Sequence, residues 1–247
     1  MVGKTIRIDP MSFVSIFIEA CRGERSLASG TGFIVQKSGR SFLVTNWHML
    51  AGRDPRTSRP LAETGEIPDK LAIWHHIRDK LGTWGRRFVP LTRPDGSPAW
   101  LEHSLSRKVD VVALPLTVDE EVTLYPLDLG LANTDLMISP SEAVSIIGFP
   151  FGLSAGGRFP IWKTGHVASD IDLDYDGLPI FLIDATTKPG MSGSPVIARR
   201  YGWYLSSEGY QGGSDATRFL GIYSGRIHES ADVGSVWKPE VLNEIIR

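Results

Sequence analysis

Short runs of β-branched and aromatic residues recur along the whole chain, each closed off by glycine, proline or serine. That punctuation constrains the fold more than any other feature. A first set of runs lies at 13–20, 31–36, 41–45, 71–77, 86–91, 109–114 and 121–127. A second set lies at 143–149, 159–168, 178–185, 195–200 and 219–227. Runs of this length and composition read as strands. The 26 glycines and 16 prolines fall mostly between them, where turns require them. Only the last segment reads as a helix, at about 236–246: Trp237, Val241 and Ile245 are spaced by four, Leu242 and Ile246 lie beside them, and Pro239 suits a first helical turn. The stretches 52–70 and 92–108, rich in proline and charge, read as long surface loops. No repeat of about 20–50 residues is present, which excludes solenoids and propellers. A weak join near 128–140 divides the strands into two halves. The expected class is therefore all-β, an antiparallel sandwich or a pair of barrels of similar size, with a C-terminal helix.

A chain of 247 residues can bury a core without metal or disulfide. Its 42% apolar and 22% charged residues exclude a wholly disordered protein. A net charge of −2 carries no electrostatic footprint for nucleic acid, so no nucleic-acid partner is expected. No apolar run reaches the ~18 residues of a membrane span. Lys4 and Arg7 precede the apolar run 13–18, but Asp9, Pro10 and Glu19 bound it too tightly for a signal sequence, and it reads as a strand. With one cysteine, Cys21, no internal disulfide can form, and a cytoplasmic location is expected.

The chemistry concentrates in Thr187-Lys-Pro-Gly-Met-Ser-Gly-Ser-Pro195. Glycines around Ser192 permit backbone conformations in which successive N–H groups share one small space. The N–H groups of Gly190 and Ser192 could hold an oxyanion beside the Ser192 hydroxyl, as acyl transfer requires, although a plain glycine-rich hairpin would look the same. A serine needs a base. Of the six histidines, His48 stands out, because the apolar run 41–45 delivers it onto a short turn, a rigid mount. His75 and His76 are neighbours in a strand and face opposite ways, so they are poorly placed to share a metal. His103 reads as solvated, and His166 and His228 as polar residues of strands or strand ends. The carboxylate that would orient the base is Asp110, at the mouth of the apolar run 109–114, where the bland reading is an acid bonded to a nearby turn. No cluster has metal-ligand spacing, and neither metal nor organic cofactor is expected.

Four segments in this order resemble the chymotrypsin-like (trypsin-like) serine proteases. Thr45-Asn-Trp-His48 resembles their histidine motif, Asp110-Val-Val-Ala-Leu114 their aspartate motif, and Gly190-Met-Ser-Gly-Ser-Pro195 their nucleophile motif. Gly221-Ile-Tyr-Ser-Gly225 resembles the strand lining their primary pocket. Thr31-Gly-Phe-Ile-Val35 is similar to the bacterial HtrA-like and glutamyl-endopeptidase-like branches, here without a PDZ-like region after the pocket strand. The resemblance implies a single peptidase domain over 1–247, built of two six-stranded antiparallel barrels at about 11–130 and 140–230. It implies Ser192 as nucleophile, His48 as acid–base, Asp110 as its partner and Ser224 as support for Asp110. It also implies a primary pocket from Thr186, Thr187, Tyr223, Ser224, Gly225 and Arg226, without an acid to receive Arg or Lys. Met191 departs from the aspartate that relatives activated by cleavage place before the serine, which argues against that activation route here.

The implied function is a serine endopeptidase acting on polypeptide substrates, and none of these motifs bears on oligomeric state. The alternative is a catalytically silent domain that keeps the protease fold to bind peptides or act as a scaffold. An α/β-hydrolase is excluded, because the serine lacks a Gly-x-Ser-x-Gly elbow and no alternating helices surround it.

Overall fold

The computed structural model describes residues 6–117, 119–228 and 230–247, so Lys4 lies outside the described residues. The first half contains β1 (Ser15–Arg22), β2 (Arg25–Lys37), β3 (Arg40–Thr45), helix α1 (Trp47–Ala51), β4 (Lys70–Ile77), β5 (Trp84–Pro90), β6 (Leu101–Glu102), β7 (Val112–Leu116) and β8 (Val122–Thr123). The second contains β9 (Ala143–Gly148), β10 (Ile161–Val167), β11 (Ile180–Asp184), β12 (Pro195–Arg200), β13 (Trp203–Ser206), β14 (Gly209–Gly212), β15 (Ala216–Arg226), β16 (Val233–Trp237) and helix α2 (Val241–Ile245). Strands dominate, as the punctuated runs predict.

The second half closes into a six-stranded antiparallel barrel in the order β10-β11-β16-β15-β12-β9. The first half is an eight-stranded sheet, β5-β4-β1-β2-β3-β7-β6, with β8 paired to β4. No ladder among the described residues joins β5 to β6, so hydrogen bonding closes one barrel where two were expected. The physical reason lies at the sheet's ends: β6 has two residues and spends them on β7.

Other expectations change as well. The run 121–127 shrinks to the two residues of β8, and the loop expected at 92–108 contains β6. The hairpin β13–β14 lies where no strand was expected; its strands have four residues each and carry the exposed aromatics Trp203 and Tyr210. The C-terminal helix is confined to Val241–Ile245, because Trp237 ends β16 and pairs with both Ile180 and Ile222. The four-residue spacing of Trp237 with Val241 was coincidence. Closing a barrel gives strand 233–237 two ladders of hydrogen bonds, which outweighs the single turn of helix it would otherwise add.

Three apolar clusters hold the halves. Ile16, Ile18, Ile34, Leu43, Leu71 and Leu114 fill the first, and Ile146, Phe181, Ile183, Val196 and Val236 the second. A third draws on both halves, with Phe33, Val44 and Val111 packed against Ile147, Ile197, Phe219 and Trp237, and α2 covering it through Val241, Leu242 and Ile245. Each such side chain contributes about 1.5–3 kcal/mol on burial, so the junction between halves is itself core.

Candidate active site

The junction brings together residues that the sequence holds far apart. Strand β3 ends at Thr45, and α1 begins after Asn46, so His48 sits in the first turn of a helix rather than on the plain turn expected. Asp110 lies two residues ahead of β7, which pairs with β3 from Thr45↔Val112 onward. This pairing puts the two side chains side by side. His48 Nδ1 lies 2.7 Å from Asp110 Oδ2, and the His48 backbone N–H donates to Oδ1 at 2.9 Å. A carboxylate here can only accept, so Nδ1 carries the proton and Nε2 of a neutral ring is free to accept one.

Asp110 is 4% exposed, so each of its oxygens must be satisfied. Ser224 Oγ donates to Oδ2 at 2.5 Å from β15 in the other half, and Asn46 Nδ2 donates to the Asp110 carbonyl at 2.6 Å. Burial disfavours a charged His48, but the adjacent Asp110 carboxylate outweighs it and lifts the imidazole above its ordinary pKa. The bland reading of Asp110, an acid bonded only to a local turn, does not describe this arrangement.

Ser192 lies on the turn before β12. Gly190 (φ +94°) and Gly193 (φ +84°) both occupy the left-handed region. A Cβ at Gly190 would come within 2.3 Å of the Phe149 carbonyl oxygen, and one at Gly193 within 2.1 Å of the Thr31 carbonyl oxygen, so both positions require glycine. The N–H groups of Met191, Gly193 and Ser194 are bonded to the carbonyls of Lys188, Tyr223 and Met191. Those of Gly190 and Ser192 make no hydrogen bond among the described residues. They are the pair singled out as oxyanion donors. The Ser192 hydroxyl donates to the Ser224 carbonyl at 3.0 Å rather than to His48.

Sequence reasoning missed how this turn is held. Met191 is fully buried in the second-half cluster and anchors it from below. Thr31, fully buried on β2, clamps it from the other half: its hydroxyl donates to the Gly190 carbonyl at 2.9 Å and its N–H to the Ser192 carbonyl at 2.9 Å. Thr45 Oγ1 in turn donates to the Thr31 carbonyl at 2.8 Å. A Thr between two glycines was the only signal available.

Of the expected pocket residues, Thr186 is exposed and Thr187 is buried with its hydroxyl bonded to that of Tyr223. Tyr223 packs against Gly234, and burial pushes its phenol up. Ser224 turns to Asp110, while Gly225 and Arg226 face a cavity of about 690 Å³ that His48 and Asp110 also line. The remaining histidines are elsewhere. His76 sits in an aromatic box of Phe13, Trp84, Tyr125 and Phe159, away from the charged groups that face His75. His103, expected to be solvated, is buried with Nε2 3.1 Å from Glu244 Oε2, because α2 folds back over its loop. Among the described residues no group of acids, histidines or cysteine is arranged to hold a metal.

Residues 30–203 match the family described as a trypsin-like peptidase domain. No curated protein matches the sequence. Among solved structures, the Rv3671c protease of M. tuberculosis is similar in its inactive form (18% identity, TM-score 0.50, over 96% of this chain and 90% of that one). Its active form is similar too (16%, 0.52, 95% and 82%). A serine endoprotease from Yersinia pestis shares 13% identity at TM-score 0.52, over 98% of this chain and 66% of its own. At these identities the likeness is one of fold.

Proposed function

The chain belongs to the trypsin-like peptidases, and on that premise we propose that it is a serine endopeptidase acting through a Ser192 acyl-enzyme. His48 Nε2 takes the Ser192 proton as the hydroxyl attacks the carbonyl carbon, and later gives it to the departing amine. Asp110 keeps the proton on Nδ1 and stabilises the imidazolium; Ser224 and Asn46 keep Asp110 in place. The Gly190 and Ser192 N–H groups receive the oxyanion of the tetrahedral intermediate. The eight-stranded sheet takes the part of a first barrel, and the whole of 1–247 works as one peptidase domain. No metal or cofactor takes part in these steps, and the lone, buried Cys21 is consistent with a reducing, cytoplasmic setting.

The observation that carries this reading is the Asp110 carboxylate, which accepts from His48 twice and from Ser224 once across the junction of the halves. A structural acid would have no reason to collect a histidine ring and a serine from opposite halves beside a turn with two unbonded N–H groups.

For the primary pocket, the Thr187–Tyr223 hydroxyl pair supports a small or apolar side chain before the cut. An Arg or Lys there would lose its hydration with no acid to meet it. A peptide library varied at that position reads this directly, and dominant cleavage after Arg or Lys would overturn it.

One observation favours a catalytically silent domain instead: the Ser192 hydroxyl is turned to the Ser224 carbonyl. A fluorophosphonate probe separates the two. Labelling of wild type that disappears in Ser192→Ala supports the enzyme, and no labelling of folded protein supports the silent domain. In turnover, Ser192→Ala should lose about 10⁴-fold or more with the fold intact, and near-wild-type activity would sink the assignment.

A further inference from the structure

A segment of the second half covers one face of the first. Strands β1, β4 and β5 carry Phe17 and Glu19, Trp74 and His76, and Trp84 and Arg86 on that face, because alternate residues share a side and Trp74 pairs with Arg86 and His76 with Trp84. Onto it comes the segment 149–160, which links β9 to β10. Gly157 lies against the Trp84 ring, where a Cβ would come within 2.4 Å, and Phe159 meets Trp84 and Phe13 edge to face at 5.1 and 5.2 Å. Between them, Arg158 Cζ lies 3.4 Å from the centre of the Trp74 ring and 5.1 Å from that of Phe17. Trp74 is itself held, since its Nε1 donates to Glu19 Oε2 at 2.9 Å.

The other end of the same segment lies against the Ser192 turn. The Phe151 N–H donates to the Pro189 carbonyl at 2.6 Å. Pro189 and Gly190 share one planar peptide unit, whose carbonyl and N–H point in opposite directions. Holding the carbonyl therefore aims the Gly190 N–H, one of the two left unbonded. The Phe149 N–H adds a bond at 3.2 Å to Thr31 Oγ1, the hydroxyl that grips the Gly190 carbonyl.

Phe151 makes its bond from an unfavourable backbone. It sits at φ +54°, in the left-handed region that a side chain disfavours. Its side chain is 62% exposed, so its own packing does not hold it there. Such a conformation persists only where the surroundings over-determine it. Those surroundings are Gly190 on one side and, farther along the segment, the anchor on the first half.

We infer that Arg158 is a positioning residue for the acyl transfer: stacked on Trp74, it pins the segment 149–160 to the first half and so keeps the Phe151 N–H on the Pro189 carbonyl and the Gly190 N–H aimed at the oxyanion. Arg158 does not line the cavity beside His48, and it acts through the segment. Its guanidinium enters no ion pair among the described residues. A planar cation suits this task, because it lies flat on an indole and is attracted to the ring face without needing an acid. The inference rests on the Ser192 acyl-transfer reading.

The test compares the full chain with Arg158→Ala, Arg158→Lys, Trp74→Leu and the Arg158→Ala, Trp74→Leu double variant, on the peptide that a library digest selects. Arg158→Ala strands no ion-pair partner, so the fold should hold. It should lower kcat about tenfold, short of the ~10²–10³ that outright loss of an oxyanion donor costs, with KM and the apparent pKa of the rate unchanged. The rate of fluorophosphonate labelling should fall by the same factor, because the phosphoryl oxygen draws on the same N–H groups. Arg158→Lys keeps a cation over the ring and should recover most of the loss. The double variant should lose no more than the worse single one, since both break one contact. A merely structural role would instead give losses that follow the folded fraction in urea and a parallel rise in KM, and that outcome overturns the inference. So does an Arg158→Ala rate within about twofold of wild type, a Lys variant as poor as Ala, or additive losses in the double variant. If Trp74→Leu does not fold, the two Arg158 variants still decide. Wild type that labels no faster than Arg158→Ala refutes the positioning role alone, whereas folded wild type that does not label refutes the acyl-transfer reading and the positioning role with it.

Discussion

Asp110 shows how much one buried side chain can specify. Its two oxygens accept three hydrogen bonds, which orient His48, fix its tautomer and tie β15 of the other half to the site. The consequence for pH is definite in sign. Burial opposes the imidazolium and the Asp110 carboxylate favours it more strongly, so His48 titrates above the ordinary 6.5. A general base works only when neutral. The rate should therefore rise with pH through an apparent pKa above about 6.5 and be lost as pH falls below it. Asp110→Asn removes the charge, so the apparent pKa should drop and kcat should fall by up to about 10⁴-fold. A pH–rate profile of wild type and variant checks both, and a flat wild-type profile from about pH 5 to 8 with chemistry rate-limiting would count against His48 as the base. At this scale the sequence was legible. Residue types and order were enough to single out His48 and Asp110, which the fold brings together at 2.7 Å, and Ser192, whose hydroxyl meets the Ser224 carbonyl beside them. His103 was misread, since its partner Glu244 is 141 residues away and only the fold supplies it.

At the scale of elements, β2 and β4 carry consequences beyond their place in the sheet. Thr31 of β2 holds the Gly190 carbonyl, and through it the direction of the neighbouring peptide groups. Thr31→Val keeps the shape and deletes the donor, leaving a buried carbonyl unpaired. It should lower kcat by about 10–100-fold with little change in KM, and Thr31→Ser should restore most of the loss. Equal losses in the Val and Ser variants would show that shape, not the hydrogen bond, matters. On β4, burial pushes both His75 and His76 down to about 4. In the unfolded chain both protonate near 6.5, so between 6.5 and 4 the unfolded state binds more protons. Stability should fall as pH drops through that window, by an amount on the order of a few kcal/mol for the pair. His48, raised rather than lowered, contributes with the opposite sign. Urea midpoints at pH 7 and pH 5 measure the net effect, and His76→Phe, which keeps a ring in the aromatic box, should flatten the dependence. The strands themselves were visible from composition, but Trp237 was not. A strand ending and a helix beginning leave the same four-residue spacing when the chain passes from one to the other within a turn.

The whole molecule is held by the cluster that both halves share. Phe33 and Phe219 come from opposite halves, are fully buried and meet edge to face at 5.7 Å. Phe33→Ala should cost about 3–5 kcal/mol in chemical denaturation. Activity should fall by more than the loss of folded protein accounts for, because His48 and Asp110 sit on one half and Ser192 and Ser224 on the other. A stability loss with unchanged activity per folded molecule would show that the cluster does not set the alignment of the site. The sequence by itself determined the all-β class and the likeness to trypsin-like peptidases, and it named the residues proposed to carry the chemistry. These depend on local side-chain preference and on a reaction that accepts few residue types. Only the tertiary structure decided which strands close a barrel, what clamps the Ser192 turn and which face of the first half Arg158 stacks against. Those depend on which distant residues meet, and in a chain of antiparallel strands the partner of a residue is set by register and by the shared core, neither of which is written near it in the sequence.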